Sequence, residues 1–128
     1  MKIIHIITDL DVGGAEMMLY KLLDSLRDDS IDSSVISLMG RGKITERIEA
    51  LGVKVETLDL GQGELPSWQT IKKLRQFMRA FNPDIVQGWM YHGNIAATVA
   101  VFLFDPMRRK VKLFWNVRQT LYDINSEK

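Results

Sequence analysis

The chain has 128 residues, enough for one compact domain and too few for two of ordinary size. Hydrophobic residues make up 46% and charged residues 26%, which excludes a disordered or fibrous chain, and a net charge of +1 excludes whole-chain attraction to nucleic acid or an anionic membrane. The absence of cysteine excludes a disulfide framework and a thiolate metal site, and fits a reducing compartment.

Lys2 to Thr8 is nearly continuous apolar and β-branched sequence, the pattern of a parallel strand buried on both faces. Asp9 and Asp11 interrupt that run and no small-residue cleavage site follows it, so no signal peptide is expected and the chain is cytosolic by default. A turn, Asp9 to Gly14, leads into a helix with Ala15, Met18, Leu19, Leu22, Leu23 and Leu26 on one stripe. Ser33 to Leu38 reads as a second strand. Ile44, Ile48 and Leu51 make a short helix that Gly52 ends, and Val53 to Leu58 a third strand.

The loop Asp59 to Pro66 carries three breakers, after which Ser67 is a suitable N-cap. The helix that follows has Ile71, Leu74, Phe77, Met78 and Phe81 inside and stops at Asn82-Pro83. Asp84 to Gln87 is expected as a fourth strand and Gly88 to Asn94 as a loop. Ile95 to Phe104 is an apolar stretch of about ten residues, half of what a membrane-spanning helix needs, so a helix buried against the sheet is expected. Val111 to Trp115 is a fifth strand, and the tail from Asn116 is polar. Strict alternation of strand and helix implies an α/β fold: a doubly wound parallel sheet of about five strands with helices on both faces.

In such sheets ligands bind beyond the carboxyl ends of the strands. Gly13-Gly14 lies at one such end, where free N–H groups and the helix dipole favour a phosphate; two glycines also make an ordinary tight turn. The full Gly-x-Gly-x-x-Gly fingerprint is absent and the second strand ends in Leu38-Met39 instead of an acid, so a nicotinamide dehydrogenase is not expected. His92 after the fourth strand can hydrogen-bond a sugar hydroxyl, or cap a helix. His5 alternates within a buried strand and reads as a satisfied core residue. Two histidines without nearby carboxylate pairs do not make a metal site.

Arg118 can reach an anion after the fifth strand, or pair with Asp123 or Glu127. Trp89 and Tyr91 are candidates for a sugar-stacking shelf, with plain packing as the alternative. Lys72, Lys73, Arg75 and Arg79 form a basic face on the third helix, and Arg108, Arg109, Lys110 and Lys112 a second cluster. Such runs are usually solvated faces; on one side of the molecule they would touch anionic lipid.

The stretch Ile3-Ile4-His5-Ile6-Ile7-Thr8-Asp9-Leu10-Asp11-Val12-Gly13-Gly14-Ala15-Glu16 resembles the opening of family 4 glycosyltransferases. Asn82-Pro83-Asp84-Ile85-Val86, Tyr91-His92-Gly93 and Trp115-Asn116-Val117-Arg118-Gln119-Thr120-Leu121-Tyr122-Asp123 resemble further segments of that family in the same order. The resemblance implies the N-terminal, acceptor-side Rossmann-like half of a two-domain GT-B fold. It also implies transfer of a sugar from a nucleotide-diphosphate donor to a glycan or lipid-linked acceptor, with retention and no bound metal or cofactor. By the same resemblance Gly13 and Gly14 approach donor diphosphate and acceptor, His92 contacts the transferred sugar or positions the acceptor, and Arg118 supports the cleft together with Asn94. Glu16 matches a family position, but its place in a first helical turn also suits ordinary capping.

The resemblance further implies a second domain, carrying most nucleotide contacts, that lies outside this sequence. The expectation is therefore a fragment, inactive alone, cytoplasmic or peripheral to the inner face of the membrane, and self-associating through apolar area meant for later elements. A rival reading is a receiver-type phosphoacceptor domain, with Asp9 and Asp11 beside a phosphorylated Asp59. A third is a non-catalytic binding module.

Overall fold

The computed structural model describes residues 1–10, 14–26, 30–61, 66–105 and 111–115, with only the backbone of Tyr91. Its elements are β1 (Lys2–Ile7), α1 (Gly14–Leu26), β2 (Asp32–Ser37), α2 (Thr45–Glu49), β3 (Lys54–Thr57), α3 (Trp68–Phe81), β4 (Ile85–Trp89), α4 (Met90–Phe104) and β5 (Lys112–Trp115). The five strands form one sheet in the order β3-β2-β1-β4-β5, every neighbouring pair parallel. This is the doubly wound α/β architecture that the alternation of elements predicts.

The continuous apolar sequence of β1 follows from its central place. Ile4 and Ile6 enter a cluster with Leu74, Met78, Ala97, Ala100 and Val101, so α3 and α4 cover that face. Ile7 joins Leu19, Leu23, Ile44, Ile48 and Trp89 on the other face, beneath α1 and α2. Side chains alternate along a strand, so β1 must be apolar in both registers.

Local signals end the helices as expected. The Ser67 hydroxyl accepts the Thr70 N–H at 3.3 Å, and Asn82 closes α3 in the left-handed region at φ 56°. Gly52 takes φ 87° one turn after α2, a conformation that L side chains rarely adopt.

Two expectations are corrected. Gly88 to Asn94 is not a loop: β4 runs to Trp89 and α4 starts at Met90, five residues before the expected Ile95. A single left-handed residue, Met90 at φ 67°, turns the chain from strand to helix. Gly88 and Gly93 are packing glycines instead of loop glycines. A Cβ on Gly88 would stand 2.6 Å from Asn94 Cα, and one on Gly93 2.7 Å from the Ile6 carbonyl oxygen.

The second correction concerns burial of α4. One side of the helix packs on the sheet, but Ile95, Val99 and Phe102 are exposed. The edge strand β5 likewise leaves Phe114 and Trp115 about half exposed, at 50% and 52%. No helix among the described residues is long and apolar enough to cross a membrane.

Candidate functional site

In a sheet ordered β3-β2-β1-β4-β5, chain progression reverses between β1 and β4. The segments leaving the carboxyl ends of those two neighbouring strands part to opposite faces and open a crevice between them. One wall begins with Thr8-Asp9-Leu10. Fully buried Leu10 anchors it, and the Met39 and Ile44 N–H groups donate to the Thr8 and Leu10 carbonyls at 3.1 and 3.0 Å. Gly14 then opens α1, and a Cβ there would meet nothing within 4 Å. Space, instead of a packing requirement, surrounds this glycine.

The other wall is the first turn of α4. Gly93 sits against the backbone of Ile6 and Ile7, with Asn94 against Gly88, so this turn is held by direct contact with β1 and β4. His92 projects from it as an exposed residue. Asn94 is buried, and its carbonyl accepts the Thr98 hydroxyl at 2.9 Å. The N-termini of α1 and α4 therefore rise on the two sides of one crevice, and both favour negative charge there.

Gly14 opens α1, and His92, expected on a loop after β4, lies instead in the first turn of α4. Trp89 is only 3% exposed, packs in the α1-side core, and its Nε1–H donates to His5 Nδ1 at 3.1 Å. A ring enclosed in this way cannot stack on a sugar, so the shelf assignment for Trp89 is corrected to packing. Gly13, Arg118 and the side chain of Tyr91 lie outside the described residues.

His5 is buried as expected, but not fully satisfied. Because Nδ1 accepts from Trp89, the neutral ring carries its proton on Nε2, which is buried and has no hydrogen-bond partner among the described residues. Burial pushes the imidazole pKa down to about 4.

Glu16 is a residue whose burial the apolar-stripe reading overlooks. It is 5% exposed in the first turn of α1. The signal is present in the sequence, because Glu16, Leu19 and Leu23 share one helical stripe. The positive end of the helix dipole favours an acid at this place on an otherwise apolar inner stripe.

The position of Asp59 removes the receiver reading. It follows β3, which among the described strands pairs only with β2, and its N–H donates to the Met39 carbonyl at 2.8 Å. With β2 between them, Asp59 cannot join Asp9 beyond β1 in a shared acidic site. A concavity of about 320 Å³ lined by Lys2, Leu26, Asp32, Lys54 and Phe81 lies at the opposite, amino-terminal edge of the sheet. In open α/β sheets that edge is not where ligands bind, so the crevice is the better candidate.

Fold and crevice together define a Rossmann-like α/β domain with its ligand edge at the switch point between β1 and β4. Residues 12–122 match Glycosyltransferase Family 4, and the chain belongs to that family. Among curated proteins no sequence matches. Solved structures of similar shape include a deacetylase triple mutant involved in the teicoplanin biosynthetic pathway, at 12% identity and a TM-score of 0.56, covering 95% of this chain and 67% of that one. A second, a deacetylase–bog complex in teicoplanin biosynthesis, has 10% identity and a TM-score of 0.55 over 95% and 70% of the two chains. UDP-N-acetylglucosamine 2-epimerase has 14% identity and a TM-score of 0.51 over 89% and 32%. At such identities the likeness is one of fold. The chain spans about two thirds of the deacetylases and one third of the epimerase.

Proposed function

We propose that this chain is the acceptor-side half of a glycosyltransferase cleft, taking a sugar from a nucleotide-diphosphate donor to a glycan or lipid-linked acceptor with retention of configuration. The observation that carries the reading is the meeting of two helix N-termini, at Gly14 and His92, across the switch point of a family 4 chain. Donor diphosphate is the charge such a pair of N-termini would favour. His92, in the first turn of α4, would hydrogen-bond a sugar hydroxyl or hold the acceptor. Gly13 and Arg118 would contribute from the segments that follow β1 and β5. The chain would work at the cytoplasmic face with a second, nucleotide-binding domain, and without a bound metal.

The test uses the polypeptide joined to such a second α/β domain, with hydrolysis and transfer from labelled nucleotide sugars as readouts. Gly14→Trp fills the open space at the start of α1 and is expected to abolish both. Activity should persist in chelator, and NMR of the product should show the donor's anomeric configuration. Unchanged turnover after Gly14→Trp would remove the crevice from the reaction.

A further inference from the structure

The backbone pairing of β1, β2 and β3 does not stop where the strands end. Beyond them the Met39 N–H donates to the Thr8 carbonyl at 3.1 Å, and the Ile44 N–H to the Leu10 carbonyl at 3.0 Å. On the other side of β2 the Asp59 N–H donates to the Met39 carbonyl at 2.8 Å, and the Leu60 N–H to the Leu38 carbonyl at 3.0 Å. The turn between β2 and α2 is braced within itself. The Ser37 hydroxyl donates to the Gly40 carbonyl at 3.1 Å, and the Gly42 N–H to the Thr45 hydroxyl at 2.8 Å. Three strand exits are thereby joined into one ledge. It starts at Thr8, on the wall of the crevice, and runs two strand spacings, about 10 Å, to Asp59.

Polar groups on this ledge lack partners of their own. Asp59 is exposed and takes the left-handed conformation at φ 55°. Asn82 and Met90, which share that conformation, close and open helices; Asp59 does neither. Its carboxylate forms no hydrogen bond or ion pair with a described residue. An uncommon backbone at a ligand edge, under a side chain with no internal bond, points to a task for that side chain. The ammonium of exposed Lys43 likewise has no described partner, and the N–H groups of Gly40, Arg41 and Lys43 donate to no described residue. The Arg41 guanidinium differs, because Glu49 engages it. The ledge therefore offers acceptors and donors together, and none of the large apolar side chains exposed among the described residues lies on it.

We propose that the acceptor is an oligosaccharide whose sugars beyond the reacting one lie across this ledge. Asp59 accepts hydrogen bonds from hydroxyls of the outermost sugar, while Lys43 and the uncovered N–H groups donate to sugar oxygens. The acceptor role rests on sugar transfer in the crevice, and it specifies what the crevice glycosylates. Between Thr8 and Asp59 the ledge has the length of about two further sugar rings, so the acceptor has three sugars or more. A lipid chain would find no apolar surface there. A phosphate group would gain Lys43 but sit beside the Asp59 charge. Neutral hydroxyls, each both donor and acceptor, use the two kinds of group at once.

An array of immobilised mono-, di-, tri- and tetrasaccharides, probed with the fluorescently labelled chain, tests it. Retention is expected on trisaccharides and longer glycans and not on monosaccharides. Asp59→Asn should weaken that retention about tenfold to a hundredfold, the worth of hydrogen bonds to a charged acceptor. Asparagine tolerates the left-handed backbone, so the melting temperature should not move, as it would if Asp59 were only a turn residue. Lys43→Gln should weaken retention in the same direction. An array that retains nothing, monosaccharides held as strongly as trisaccharides, or an Asp59→Asn variant that binds like wild type overturns the proposal. Hydrolysis of labelled nucleotide sugars by the two-domain protein keeps the two readings apart. Hydrolysis beside a blank array removes the ledge and leaves the crevice. Glycan binding that depends on Asp59, without hydrolysis or transfer, overturns the acceptor role together with the crevice reaction.

Discussion

Trp89 and His5 form a buried polar pair between adjacent central strands, the indole N–H donating to imidazole Nδ1 at 3.1 Å with ring centroids 6.0 Å apart. Trp89 is the last residue of β4 and immediately precedes the left-handed Met90. The pair thus ties β1 to the point where the chain turns into the helix that presents His92. In an apolar surrounding such a bond is strong when made and costly to lose.

Its first consequence is acid sensitivity. The folded-state pKa of His5, about 4, lies below the 6.5 of a free imidazole, so the unfolded chain takes up the proton first as pH falls. The contribution of His5 is complete above pH 6.5 and disappears as pH drops from there towards 4. About 3 kcal/mol of stability is at stake, which urea unfolding at a series of pH values can measure. His5→Gln keeps an acceptor for Trp89 without titrating. The stability difference between wild type and variant should therefore widen from pH 4 to pH 6.5. A difference that stays constant would mean that His5 does not titrate as described.

Glycine substitutions should separate packing from binding. In a helix, Gly→Ala normally stabilises by about 1 kcal/mol. At Gly93 the new methyl would stand 2.7 Å from the Ile6 carbonyl oxygen, and backbone cannot easily give way. We expect Gly93→Ala to destabilise by about 1–3 kcal/mol, and Gly88→Ala to do the same through Asn94. Gly14→Ala, with nothing within 4 Å, should leave stability unchanged or raise it slightly. Thermal unfolding of the three variants checks the order, and a stabilised Gly93→Ala would show that α4 does not seat on β1 as described.

The same contacts explain what was legible in the sequence. Strand and helix order, the Ser67 cap, the Asn82 stop and the ligand edge all follow from local signals: periodicity, caps and turn chemistry act over a few residues. The β4–α4 junction was illegible because its glycines are needed by partners far along the chain, Gly93 by Ile6. Without that contact, Gly88 and Gly93 read as loop breakers. Trp89 was misplaced for the same reason, since only the tertiary fold brings it to His5, 84 positions away. Glu16 was legible in principle, because it shares the stripe of Leu19 and Leu23. The strand order that separates Asp59 from β1 is a property of the sheet as a whole, and no local segment encodes it.

Met90 carries local strain that a substitution should release. A methionine held at φ 67° costs roughly 1–2 kcal/mol relative to an ordinary conformation. Glycine at this position avoids that cost, which offsets its greater entropy in the unfolded chain. Because the Met90 side chain also packs against the α1-side core, the comparison that isolates the backbone is between two truncations: Met90→Gly should be more stable than Met90→Ala in denaturant unfolding, whereas at a regular helix position glycine would be the less stable by about 1 kcal/mol. A Met90→Gly variant less stable than Met90→Ala would show that Met90 does not hold the left-handed conformation.

Function and stability should come apart most clearly at His92 and Trp89, three residues apart in sequence and opposite in burial. His92 is exposed in the first turn of α4, so His92→Ala should change unfolding free energy by no more than about 0.5 kcal/mol. If it bonds a sugar hydroxyl inside the closed cleft, the variant of the two-domain protein should lose about tenfold to a hundredfold in kcat/KM, the worth of one such bond. Trp89→Phe should reverse the pattern. It leaves His5 Nδ1 without its donor in a buried site, at a cost of about 2–3 kcal/mol, while no atom that touches substrate is removed. Its kcat/KM at low temperature, where the variant is still folded, should stay within a few-fold of wild type. If His92→Ala instead lowers stability and leaves turnover intact, His92 is a capping residue and the crevice has another centre.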